Sequence, residues 1–100
     1  MNLEDIPGIR KQFQDLEDRE RQIDEDIKHG RAETKERRNI KYPYIDPIIE
    51  YPQLTSIINE RRELALKLFD TDLRIGYDDW EEDPQQMLDW IEHFLKYDSP

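Results

Sequence analysis

From residue 6 onward, apolar side chains return at alternating steps of three and four: Ile6, Ile9, Phe13, Leu16, Ile23 and Ile27. This is the a/d seam of a heptad repeat, interrupted once, at Glu20. Nearly every position between is charged, so the stripe is narrow. It predicts one long helix over about 7–29 that needs a partner helix rather than a broad core. Pro7 suits the opening turn, where a missing N–H costs nothing, and Gly30 is placed to stop or kink the run. Residues 31–39 would prolong the helix only weakly, with Ala32 as their sole apolar side chain.

A second stripe, Leu54, Ile57, Ile58, Leu64, Ala65 and Leu68, predicts a helix over about 52–75, with Phe69 and Ile75 at its margin. Arg61 sits on that face, as Glu20 does on the first. The two either pair across the seam or mark a wet, frayed stretch of it. Gly76 ends the run. Asp83, Pro84 and Gln86 then form a helix start signal, an N-cap followed by a first-turn proline and a capping-box glutamine. The apolar set from Met87 to Leu95 carries a third helix over about 84–97.

Between the first two helices lie Pro43, Pro47 and Pro52, each biasing its predecessor toward extended backbone. This proline-rich connector is expected to hold at most one helical turn, after Asp46. Ile40, Tyr42, Tyr44, Ile45, Ile48, Ile49 and Tyr51 make it too apolar for a free linker, so packing along a helix is expected. The chain has no Val and three Thr, which gives strands little local support. The expected architecture is all-α, a single domain over 1–100: a long helical hairpin with a short third helix packed near one end.

Composition changes this picture in one respect. Charged residues reach 40%, against about 25% in an ordinary globular chain. The core is therefore thin, and a homodimer that merges two hairpins would bury more apolar surface. Twelve Ile, nine Leu and ten aromatics nonetheless argue against disorder. The lack of Cys removes disulfides, thiol nucleophiles and thiolate metal sites, and suits a cytoplasmic setting. No secretory signal is expected at residues 1–10, and no apolar run approaches a membrane span.

The net charge of −10 is unevenly spread: residues 1–27 carry −5, 28–41 carry +4, 42–69 carry −1 and 70–100 carry −8. Two candidate contact surfaces follow. One is basic: Lys28, Arg31, Lys35, Arg37, Arg38 and Lys41. The other is an acidic loop, Asp78, Asp79, Glu81, Glu82 and Asp83 around Tyr77 and Trp80, in which charge would steer a partner and a ring would anchor it. The alternative reading of the same loop is a solvated segment with Trp80 folded back on Phe94 or Trp90.

Catalytic chemistry has little to draw on. Glu17 and Glu20, Glu33 and Glu36, and Glu60 and Glu63 have the one-turn spacing of magnesium-binding pairs, as in all-α nucleotide pyrophosphohydrolases. The downstream acidic pair of such sites is missing, and 25 acids make chance pairs common. Asp26 and His29 offer a single imperfect metal-ligand spacing, so no metal or other cofactor is expected. Ser56 and Ser99 lack a nucleophile-elbow context, and the three glycines are isolated. The acidic flanks disfavour direct nucleic-acid binding by the basic segment.

The expected function is non-enzymatic: an adaptor or inhibitor docking on a basic surface of another protein, in one version as a DNA mimic. The alternatives are a self-assembling coiled-coil component and a magnesium-dependent pyrophosphohydrolase.

Overall fold

The computed structural model describes residues 1–38, 40–42 and 44–98, the side chain of Asp98 excepted. Asn39, Pro43, Ser99 and Pro100 lie outside them.

The described chain is mostly helical. A 3-10 turn, Leu3–Asp5, runs directly into helix α1, Ile6–Lys28, with Pro7 in its first turn. Gly30 terminates α1. Its φ of 71° is left-handed, its N–H bonds the Ile27 carbonyl at 3.1 Å, and Arg31 N–H bonds the Asp26 carbonyl at 2.7 Å. This pair of bonds closes a Schellman motif, which needs a residue tolerant of positive φ after the helix end.

Beyond Gly30 the structure departs from expectation. Residues 31–38 do not prolong the helix. Strand β1, Lys35–Arg37, pairs antiparallel with β2, Ile48–Glu50, in the register Lys35 with Glu50, Glu36 with Ile49 and Arg37 with Ile48. The β-branched Ile48 and Ile49 favour a pleated strand, and Pro52 holds Tyr51 extended at φ −112° and ψ 97°. The connector is thus a β-arm, and it is not packed along a helix: every described residue from 33 to 49 is exposed.

Helix α2, Pro52–Thr71, stops four residues short of the expected end. Asp72 takes an extended conformation and its carboxylate accepts from the Arg74 backbone N–H at 3.1 Å, an Asx turn that competes with helical hydrogen bonding. Ile75 still reaches the core, from the turn rather than from a helix face. The expected acidic loop is helix α3, Tyr77–Glu82, with Asp78 and Asp79 in its first turn, where the helix dipole favours negative charge. Helix α4, Pro84–His93, begins as its signal predicts, with Asp83 accepting from Gln86 N–H at 3.2 Å. A π-type turn, Phe94–Asp98, follows it.

Two buried clusters line the seam. Ile6 and Phe13 of α1 meet Ala65 and Leu68 of α2 together with Ile75, Trp80, Leu88 and Ile91. Leu16 and Ile23 meet Ile57, and Leu64 packs against both clusters. The start of α1 therefore lies beside the end of α2, so the two helices run antiparallel. Helices α3 and α4 cap one end of the pair, and the β-arm leaves from the other. The molecule measures 63 × 29 × 14 Å with a radius of gyration of 18.0 Å, where a compact chain of this length has about 13 Å.

Candidate functional site

The seam carries one buried-side ion pair, between Arg61 and Glu20. The two residues that interrupt the apolar stripes face one another, each with about a quarter to a third of its side chain exposed. Two further glutamates considered for magnesium are likewise engaged with arginine. Glu17 meets Arg21 at 3.5 Å and Glu60 meets Arg19 at 2.7 Å. His29 meets Glu25 at 3.3 Å, while Asp26 accepts from Gln22 and Arg31. Among the described residues no three potential metal ligands converge. An open groove of about 450 Å³ between α1 and α2 is bordered by Ile9, Leu64 and Leu68 with Glu4 and Lys67 at its rim.

The acidic end divides into three kinds of residue. Trp80 is a core residue, fully buried among Ala65, Leu68, Leu88 and Ile91, with its Nε1–H unpaired. It is not the exposed anchor that its acidic neighbours suggest, because burying so large a ring is the main reason the short α3 folds at all. Tyr77 is half-buried beside it. Glu81 and Asp83 are committed to structure, Glu81 with Arg62 at 3.3 Å and Asp83 as the α4 cap. The side chains of Asp78, Asp79 and Glu82 remain exposed, with no hydrogen bond or ion pair to another described residue.

The apolar contribution at this end comes instead from Trp90, which periodicity assigns to the α4 core, and from Leu73 and Tyr97. Trp90 is half-exposed, and Leu73 and Tyr97 are more than 70% exposed. Trp90 stacks on Phe94, with centroids 5.9 Å apart, and the Arg74 guanidinium lies 4.3 Å from the Phe94 centroid and 5.8 Å from that of Trp90. Arg74 is held there by the buried Asp72, accepting from its Nε at 2.8 Å and from its second nitrogen. These bonds hold the Asp72 carboxyl below its ordinary range despite burial, and raise Arg74. Arg10 ties α1 to α4 by donating to Gln85 Oε1 at 3.0 Å, to Glu92 at 3.3 Å and to Asp89. Lys96 and Arg10 together hold Glu92 below the usual carboxylate range. The end is thus fixed in shape as well as charged.

The basic residues gather at and along the arm. Lys28 closes α1, and Arg31 folds back on Asp26 at 3.4 Å. Lys35 and Arg37 share one face of β1, where Arg37 meets Glu50 at 3.4 Å. Arg38 and Lys41 lie at the tip, and the Lys41 ammonium sits 5.6 Å over the Tyr42 ring. Residues 37–45 contain three basic side chains and no acidic one.

No family model, curated protein or solved structure matches this chain. None of its described helices is long and apolar enough to cross a membrane.

Proposed function

We propose that the chain is a non-enzymatic binding protein, an adaptor or inhibitor whose α3–α4 end docks on a basic surface of another protein. One observation supports this above the rest. Asp78, Asp79 and Glu82 stand exposed on a short helix whose buried Trp80 locks it to the core, at the end of the molecule that also carries the half-exposed Trp90 and the exposed Tyr97. An anchored backbone loses little freedom on contact, and aromatic rings at the same end supply the apolar anchor that charge alone lacks. Where the partner is an enzyme of nucleic acid, the same contact amounts to mimicry of a phosphate backbone, and added DNA competes with it.

The test is capture from a lysate of the source cell with the wild-type chain and with Asp78→Lys/Asp79→Lys/Glu82→Lys side by side. Glu81 and Asp83 stay untouched because both have structural partners. The expected result is one dominant partner, released between 0.1 and 1 M salt as the Debye length falls from ~10 to ~3 Å, and absent from the reversed bait at unchanged helicity. Equal capture by both baits overturns the reading.

A further inference from the structure

The β-arm is the part of the molecule whose form its own contacts do not explain. A two-stranded hairpin alone in water is marginally stable. This one exposes both faces, with Ile40 at 96% and Tyr44 at 82% exposure, and Ile45, Ile48 and Ile49 about half exposed. Clustered apolar exposure of this kind marks a contact surface. Arg37, Arg38 and Lys41 make the tip basic on balance, with Glu36 and Asp46 at its margin and Arg37 shared with Glu50.

The complement is present on the same chain but out of reach. The α3–α4 end carries Asp78, Asp79 and Glu82 and, elsewhere on the same end, the exposed Trp90, Tyr97 and Leu73, the reverse charge with its own apolar exposure. Helices α1 and α2 hold the two ends apart along a 63 Å molecule, several Debye lengths at ordinary salt. The ends of one chain cannot meet, and those of two chains can. We infer that the arm docks on the acidic end of a second copy of this chain, two antiparallel copies exchanging arms about a twofold axis. Twofold exchange satisfies both arms and both ends and closes the assembly, whereas one-way contact would propagate into a filament. Two arms packed on each other would instead bring like-charged tips together.

The dimer shares the acidic end with the reading above but stands apart from it in test. A foreign basic partner competes with the arm for that end, and a monomeric chain can still capture one. The experiment therefore uses the purified full-length chain alone. Its mass is measured by light scattering and sedimentation across protein concentration at low and high salt. The expected result is twice the 12.3 kDa chain mass at low salt, shifting toward monomer as salt rises. Arg37→Glu/Arg38→Glu/Lys41→Glu should raise the dimer Kd at least tenfold, and so should Asp78→Lys/Asp79→Lys/Glu82→Lys. A chain carrying both sets is self-complementary again and should recover the dimer. Ile40→Ser/Tyr44→Ser, at exposed positions that leave the helical cores untouched, should weaken it in the same way and guards against a misfolded charge variant.

A monomer at every concentration and low salt overturns the proposal. So does a dimer indifferent to the arm variants, which would lie along the helices, and so does failure of the doubly reversed chain to recover. A monomer that binds a labelled DNA or RNA oligonucleotide through Arg37, Arg38 and Lys41 also overturns it, and assigns the arm to nucleic acid.

Discussion

At the scale of single residues, the two tryptophans behave oppositely although both stand in acidic, helical surroundings. Trp80 is fully buried and Trp90 is half exposed. In single-tryptophan variants Trp90→Phe and Trp80→Phe, acrylamide should quench the remaining Trp80 several-fold less than the remaining Trp90. Equal quenching would contradict the packing of α3. The Glu20–Arg61 pair was legible in the sequence as two breaks in facing stripes, although the stripes could not show whether the breaks meet. A double-mutant cycle with Glu20→Ala and Arg61→Ala should return a coupling of roughly 0.5–3 kcal/mol, measured by urea unfolding.

Asp72, by contrast, looked like one more solvated acid. Its role follows from burial and from Arg74 two positions later, and no pattern of apolar residues reports that. Its carboxyl is depressed in the folded state. Its contribution is therefore complete above the unfolded pKa, near 4, and fades as pH falls through the folded value. Stability measured from pH 6 down to about 2 should fall along this limb in the wild type and less steeply in Asp72→Asn. The variant should also cost about 1–3 kcal/mol at neutral pH, from the broken bonds to Arg74. A variant with wild-type stability and an unchanged acid limb would remove Asp72 from the account.

At the scale of elements, helices with caps and long stripes were the readable part. The start of α1 at Pro7, its stop at Gly30 and the Asp83 cap of α4 all rest on backbone chemistry that a few residues encode. The β-arm was not readable for the opposite reason. Strand pairing joins residues 35–37 to 48–50 across a gap, and the Ile-rich segment was expected to satisfy itself on a helix. The acidic stretch was misjudged similarly: six residues are too few to show a period, and the burial of Trp80 decides their conformation. Because every described residue from 33 to 49 is exposed, the amides of those residues should exchange with deuterium orders of magnitude faster than those of α1 and α2. Replacing residues 34–49 with a short glycine linker should leave helicity intact and body stability within about 1 kcal/mol. A loss of several kcal/mol would show that the arm packs on the helices after all.

At the scale of the whole molecule, segregation of charge along the chain becomes segregation in space. The antiparallel α1–α2 pair carries the basic segment to one end and the acidic segment to the other, which composition alone could not show. Of the candidate basic residues, Lys35, Arg37, Arg38 and Lys41 lie along the arm, while Lys28 and Arg31 stay at the end of α1. The candidate acidic set does not act as a unit, since Trp80, Glu81 and Asp83 serve the fold and Trp90 and Tyr97 take the exposed positions. The working surface proposed here is accordingly smaller than the acidic stretch and more aromatic on its outside.

The most direct measurement is an amide spectrum of the isotope-labelled chain, recorded as the protein captured by the wild-type bait is added at low salt. The account predicts that shifts concentrate in residues 77–97, that the outer faces of α1 and α2 stay unchanged, and that raising the salt reverses the effect. Shifts spread along α1 and α2, with the acidic end unmoved, would contradict it.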